Sequence, residues 1–427
     1  MGSRLFVILV FLWGMAQGLA AQTVWMDSVY YANFKSVRMV ANNIETILPA
    51  IELNNGSLQL EFDDTDADVT NYYYSITHCN ADWTPTQGLV FTDYINGFQE
   101  EQIREFQYSL GVVVPYTHYT LTLPNQNTKF LKSGNYVIKV FPFGEPDNIL
   151  FTRRFVVVQN NIVMESNIHR ASMGSDLINS QELNLTLRYP NLQINSPERE
   201  LKVLVLQNGR WQSGQWAKQP TFAGPNFLTY QGFGMFNFPG GKEFRSIDSR
   251  SLRFSSINTQ QVIETKKSWK VIQKPDFPRT NEAYMFYRDL NGFYFIDGYN
   301  LQNKTIQTDY AEVYLTLKTQ QRGDGDVYVL GRFNDFVPSE QCKMSYNKSQ
   351  GQYEAMLLLK QGYYDYQYAI VKPKSNKVDF TALEGSSYDT DNDYQILVYY
   401  RPFGAFYDQV IGLKVTSFRS QNGLKID

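Results

Sequence analysis

An all-β architecture is what this sequence predicts: three Ig-like/early-set β-sandwich domains in series after a cleaved signal peptide. Three observations carry that reading. Apolar residues recur with a period of two through many short segments, as in Tyr72, Tyr74 and Ile76 against Tyr73, Ser75 and Thr77. Polar, Gly- or Pro-containing breaks separate these runs. Helical periodicity is scarce, and residues 99–106 form the best candidate for one short helix. A period of two puts alternate side chains on opposite sheet faces, and many short strands without regular helices stack as sandwiches.

The elements follow in chain order. Arg4, the apolar run 5–13 and the small residues Gly14, Ala16, Gly18, Ala20 and Ala21 form a secretory signal peptide, residues 1–21. The run is too short to span a bilayer, which takes about 20 residues. Cys79 is the first cysteine, so no lipoprotein anchor is expected. The N-terminal sandwich is placed at 22–160, closing with the apolar strand 155–158. A second sandwich is placed at 161–275, ending where Pro275, Asp276, Phe277 and Pro278 break the pattern. An aromatic bridging segment, 276–306, is expected to pack along the domains. A third sandwich is placed at 307–427.

Composition narrows the function. Of 427 residues, 43% are hydrophobic and 15% aromatic, too many for a disordered chain. The net charge of −3 offers no basic surplus for nucleic acid. Three His and two Cys cannot build a multi-Cys or multi-His metal cluster, and neither a metal nor a cofactor is expected. Cys79 and Cys342 are read as buried free thiols rather than a disulfide.

Candidate chemistry is thin. His78 and Cys79 could be a nucleophile pair, but neighbours on a strand point to opposite faces, so the segment is read as a strand end that pins a loop. Asp389, Asp391 and Asp393 have the spacing that opens a calcium loop, yet Tyr394 and Tyr400 stand where Gly and Glu belong. That stretch, like Asp63, Asp64, Asp66 and Asp68, is read as a solvated turn. No Walker loop, G-x-S-x-G elbow or H-E-x-x-H occurs, and no carboxylate pair is marked. The chain is expected not to be an enzyme. In the third unit, Gly331-Arg332-Phe333-Asn334-Asp335-Phe336 and then Gly362-Tyr363-Tyr364 resemble the early-set, glycogen-binding type of Ig-like domain. That resemblance offers Phe336 as a candidate sugar-stacking residue. Phe233, Phe236 and Phe238, in a Gly-rich stretch, are candidate contact aromatics.

Several motifs recur in order along the chain. They are His78-Cys79-Asn80-Ala81-Asp82-Trp83, Asn96-Gly97-Phe98, Leu123-Pro124-Asn125, Gly134-Asn135-Tyr136, Gly240-Gly241-Lys242-Glu243-Phe244-Arg245 and Asp289-Leu290-Asn291-Gly292. Their joint order resembles the plug protein family of the type IX secretion system of Bacteroidota, formerly a domain of unknown function. The resemblance spans essentially the whole mature chain. It implies a periplasmic protein, peripheral to the outer membrane, that associates with the large outer-membrane β-barrel translocon and occludes its periplasmic opening when no cargo passes. The family-motif positions His78, Cys79, Asp82, Trp83, Gly97, Phe98, Gly134, Asn135, Tyr136, Gly241, Phe244 and Arg245 are read as packing and turn positions. Phe233, Phe236 and Phe238 are offered as barrel contacts. The alternative is an exported glycan-binding module. A cargo protein of the same system is less favoured, because residues 415–427 read as the end of an early-set unit rather than a sorting domain.

Overall fold

A computed structural model describes residues 25–172, 177–232, 234–373, 375 and 377–421. The signal peptide at 1–21 lies outside them. The all-β class stands, and the sheets are mostly antiparallel.

The first sandwich packs two sheets. One runs Ser28–Val29, Phe151–Val158, Gly134–Pro142, Tyr72–Cys79 and Glu100–Gln102, with Ala50–Glu52 parallel to Phe151–Val158. The other runs Phe34–Ala41, Leu58–Asp64, Thr117–Leu123 and Glu105–Tyr108. Alternation in Tyr72–Cys79 turns Tyr72, Tyr74 and Ile76 inward, where they meet Phe62, Tyr119 and Phe151. Phe62 stacks on Tyr119 with ring centroids 5.0 Å apart, and Phe151 meets Phe62 edge-on at 4.9 Å. Such pairs add specific geometry to the area they bury.

The helix expected at 99–106 is absent. Glu100–Gln102 pairs with Tyr72–Cys79, and Glu105–Tyr108 pairs with Thr117–Leu123. This segment is an edge that crosses from one sheet to the other, and pairing with two separate strands overrides its local propensity. A single helical turn forms instead at Phe91–Tyr94, where the Asp93 carboxylate accepts the Val90 N–H at 2.9 Å.

The strand pairings cross the boundaries placed at 275 and 306. One sheet joins Val163–Arg170, Ser180–Arg188, Phe227–Tyr230 and Phe222–Gly224, with Asn237–Pro239 beside them. Its facing sheet joins Gln215–Trp216 and Leu201–Gln207 to Asp393–Tyr400 and Gln409–Ser417. The C-terminal hairpin therefore belongs to the second sandwich and does not finish an early-set unit. A third pair of sheets uses strands from Arg245–Asp248 to Val378–Asp379, including Trp269–Gln273, Tyr310–Leu317, Gln352–Lys360 and Gly362–Val371. It is an excursion between two parts of the second sandwich. The bridging segment contributes Tyr294–Ile296 to it, paired with Gly362–Val371.

Leu201–Gln207 shows why the second sandwich needs its distant hairpin. Leu201, Val203 and Val205 face its core with Ile396 and Val398. Leu204 and Leu206 face the other way with Leu397 and Tyr399, into a second cluster shared with Val156, Val158, Ala50 and Ala81 of the first sandwich. The two sandwiches are thus joined by a buried apolar layer. A chain truncated after Thr390 loses two adjoining strands and the apolar side chains they give to both clusters. Losing a large buried apolar side chain costs about 2–5 kcal/mol, against the roughly 5–15 kcal/mol by which domains are stable. We expect limited proteolysis of the fragment to digest residues 161–240 while sparing the first sandwich, whereas protection of 161–240 would mean that the second sandwich is complete without its hairpin.

Candidate functional site

Several of the family motifs lie at the junctions between sandwiches. Tyr72–Cys79 ends at His78, whose ring is buried between Tyr136 and Tyr407 with centroids at 5.0 and 5.4 Å. His78 Nδ1 lies 2.8 Å from Thr86 Oγ1 and Nε2 lies 3.3 Å from the Ser133 carbonyl. Burial pushes the imidazole down to about 4, so it is neutral at physiological pH. A Cβ at position 134 would stand 2.2 Å from His78 Nε2, which explains the glycine there. Burial pushes the Cys79 thiol up to about 12. Cys79 Sγ points to the Thr77 carbonyl at 3.8 Å while both His78 nitrogens are taken by Thr86 and Ser133, so the two do not form a nucleophile pair. Both cysteines are buried and free.

Beyond His78 the chain turns to meet the second sandwich. Asp82 accepts the Thr84 N–H and hydroxyl at 3.0 and 2.6 Å. Asn80 Oδ1 accepts Arg401 Nη2 at 2.7 Å, and the Ala81 N–H donates to Asp408 at 3.0 Å. Asn135 donates to the Asn80 carbonyl at 3.1 Å and accepts the Tyr399 hydroxyl at 3.2 Å. Trp83 meets Trp211 edge-on at 4.8 Å, and the Arg154 guanidinium stands 5.1 Å from each ring. At Gly97 a Cβ would fall 1.8 Å from the Asn127 carbonyl oxygen, while Phe98 beside it is exposed.

Two buried ionic clusters tie in the third sandwich. Asp27 accepts the Arg154 N–H at 2.7 Å and its Nε at 3.0 Å. Burial alone would raise the Asp27 carboxyl, but Arg154, then Arg332 and Arg153, hold it below the usual range. Arg153 donates to the Val37 carbonyl at 2.8 Å and lies 3.5 Å from Asp335 of the third sandwich. The second cluster centres on Asp63. It accepts His118 Nδ1, the Tyr310 hydroxyl and Lys360 Nζ, each at 2.6 Å. Lys360 also donates to the Thr305 carbonyl at 3.0 Å and stands 4.0 Å from the Tyr116 ring. Burial works against the Asp63 anion, yet Lys360 and His118 hold its pKa down. The solvated-turn reading of Asp63 and Asp64 is therefore corrected, because both are buried. Sequence reasoning missed Lys360, Arg154 and Arg401, whose partners lie far away in the chain.

The second motif does similar work. Gly241 accepts the Ser387 N–H and the Thr390 hydroxyl through its carbonyl. Arg245 spans Glu384 at 3.0 Å, Asp276 at 2.7 Å and the Phe277 carbonyl at 2.7 Å. Phe244 is buried and meets Phe336 at 6.2 Å. Phe336 is itself buried, with positive φ, against Phe380 and beneath the Arg210 guanidinium. The Gly331–Phe336 turn folds this ring inward, so it offers no stacking face for a sugar. Phe236 and Phe238 are also buried, in the second core, with Phe238 5.2 Å from Tyr394. They cannot be surface contacts. Phe233 lies outside the described residues.

Among the described residues, the sequence-marked candidates do not come together as a catalytic constellation. A cleft of about 870 Å³ lies beside Trp269 and Tyr299. On its wall Asp248 is forked by Arg250, and Asp309 accepts Trp269 Nε1 and the N–H groups of Val114 and Tyr310. No group of three His, Cys, Asp or Glu suited to a metal occurs among the described residues. Asp391 and Asp393 are half-buried rather than solvated, and Asp391 accepts the Arg419 N–H at 3.1 Å. Among the described residues, no helix is long and apolar enough to cross a membrane.

Sandwiches fastened by buried ion pairs, with polar groups spent on fastening, point to a structural role. Residues 34–159 match the family described as Type 9 secretion system plug protein 1st domain. The chain belongs to the type IX secretion system plug protein family. A solved structure from Parabacteroides merdae ATCC 43184, described as a hypothetical protein, is 31% identical, with 92% of this chain and 99% of that one covered and a TM-score of 0.88. Native alpha-2-macroglobulin from Escherichia coli, spanning domains NIE-MG1, is 9% identical, with 48% of this chain and 97% of that one covered, and its TM-score of 0.15 carries no argument. No curated protein matches. Membership of the family associates the chain with the secretion machinery of the cell envelope.

Two predictions test the junctions. Asp63→Asn leaves Lys360 charged and buried without its carboxylate, and should cost about 3–5 kcal/mol in urea unfolding. A change below about 1 kcal/mol would show that the cluster does not hold the sandwiches. Burial pushes the Glu243 carboxyl up to about 8 from the usual 4.5, with Asp289 adding repulsion. A carboxyl raised by folding stabilises while it stays protonated, and that contribution is lost as pH rises from about 4.5 through about 8. Glu243→Gln, which mimics the protonated acid and keeps an oxygen to accept the Tyr284 hydroxyl, should raise the melting temperature by several degrees at pH 8 and little at pH 5. Equal shifts at both pH values would remove Glu243 as the titrating group.

Proposed function

We propose that this chain is a non-enzymatic periplasmic plug that associates with the giant outer-membrane barrel of the type IX secretion system and occludes its periplasmic opening when no cargo passes. The observation that carries this reading is the set of junctions between sandwiches at Asp63–Lys360, Arg153–Asp335 and Asn80–Arg401, in a chain of the plug family. A body that closes a pore wide enough for folded cargo must resist deformation, and interdomain contacts that are large and apolar limit relative motion. These sandwiches share an apolar layer and buried charge pairs, which suits a stopper. The glycan-binding alternative depended on Phe336, and its burial leaves that reading without a stacking residue.

The reading predicts a leak. Cells lacking the chain should admit a large hydrophilic antibiotic through the outer membrane. Cells lacking both the chain and the translocon barrel should not. Equal sensitivity in the two strains would count against occlusion.

A further inference from the structure

The hairpin Asp393–Tyr400/Gln409–Ser417 ends in a turn whose apolar side chains point at solvent. Phe403 is 98% exposed and Phe406 is 69% exposed. The backbone beneath them is braced rather than loose. Arg401 forks Asp408 through Nε and Nη2 at 2.8 and 2.7 Å and reaches Asn80 at 2.7 Å. Asp408 is buried and also holds the Ala81 N–H. The buried Glu200 accepts the Arg401 N–H with its carbonyl at 2.9 Å and the Phe403 N–H with its carboxylate at 3.1 Å. The Ala405 N–H closes the turn on the Pro402 carbonyl at 2.9 Å, and Gly404 supplies the φ of +82° that this turn needs at its third residue. The Phe406 ring lies against Gly88, and Lys132 sits over Tyr407. Val90 and Leu131, next to those two positions, are exposed as well.

The result is a convex knob ringed by further apolar residues, attached to the junction that the His78–Trp83 motif builds. Four such side chains present a few hundred Å², on the order of the patches that mark interaction sites. A flexible loop could fold its phenylalanines away, but this turn is held with them outward. Holding ordered apolar groups in water lowers the entropy lost when a partner covers them.

We propose that the Phe403–Phe406 knob is the anchor by which this chain docks into an apolar recess of a protein partner, and on the plug reading that partner is the translocon barrel. The surface assignment rests on that reading. The charges around the knob favour protein over lipid. Arg401, Lys202 and Lys132 are set against Asp408, Glu200 and Asp93, leaving no basic surplus to grip anionic headgroups. Its convex form calls for a concave partner, which a two-fold copy meeting knob to knob would not provide.

The test uses the full mature chain, tagged, with detergent-solubilised outer membranes as probe and mass spectrometry to identify what is retained. We expect wild type to retain one very large β-barrel. The Phe403→Ser/Phe406→Ser double variant, with unchanged melting temperature, should bind it about 30-fold or more weakly. Phe254→Ser, at an exposed ring of the third sandwich, should change binding less than about twofold. Capture of the barrel by wild type and by the double variant alike would overturn the knob while leaving the plug reading intact. Failure of wild type to retain any barrel would overturn both. Knob-dependent flotation with phosphatidylethanolamine/phosphatidylglycerol vesicles, or a knob-dependent dimer in sedimentation, would replace the barrel with a lipid surface or a second copy and overturn the proposal.

Discussion

Strand Phe151–Val158 has no solvent face, and the assembly depends on that. Phe151, Phe155 and Val157 belong to the core of the first sandwich. Val156 and Val158 belong to the layer shared with the second. On the same strand lie Arg153 and Arg154, charged residues on a segment that is otherwise apolar apart from Thr152. Two guanidinium groups in such a place are tolerable only if every charge is met. Asp27, Asp335, the Val37 carbonyl and the rings of Trp83 and Trp211 meet them, and these groups come from all three sandwiches. The need to satisfy one strand thus fixes where three domains stand.

Much of the fold was legible because period-two alternation is a local signal. The strand through Tyr72, Tyr74 and Ile76 reads correctly from its own residues. What alternation does not encode is which strand pairs with which. Leu201–Gln207 pairs with Asp393–Tyr400 across nearly half the chain, and nothing in either segment names the other. The boundary at 306 failed for that reason. The motif at His78–Trp83 was visible as a pattern, but its role as a junction depends on Arg401 and Asp408, more than 300 residues away. The aromatic contacts were misplaced for a related reason. Phe236, Phe238 and Phe336 sit beside glycines and looked like loop tips, yet each turns into a core. Phe403 and Phe406 occupy an equally Gly-containing turn and do face water. Only the hydrogen bonds of the turn separate the two cases.

Buried ion pairs contribute less to stability than apolar packing would, because desolvation offsets most of the attraction. Their presence at the Asp63 and Asp27 junctions therefore points to geometry more than to stability. Apolar burial is non-directional, so an apolar interface fixes its register less sharply than a set of hydrogen-bonded charges. Asp63 bonded to Lys360, His118 and Tyr310 at once has one arrangement that satisfies all of them. A slip of a few ångströms would strand a charge in a dry interior. The apolar layer supplies cohesion and the charge clusters supply register.

On the plug reading proposed above, that division of labour bears on how the chain would be released from its partner. Junctions of this kind raise the cost of opening the body itself, so release by unfolding or hinging between sandwiches is the least accessible route. The reversible contact must then lie on the outer surface, where polar groups remain hydrated until a partner arrives. A braced apolar turn is suited to that role. It is ordered before binding, so little conformational entropy is lost on docking, and nothing inside the molecule has to move when it leaves. The internal clamps and the external knob share Asn80, Ala81, Arg401 and Asp408. The residues that make the body rigid are therefore also the ones that hold its exposed aromatic pair in place.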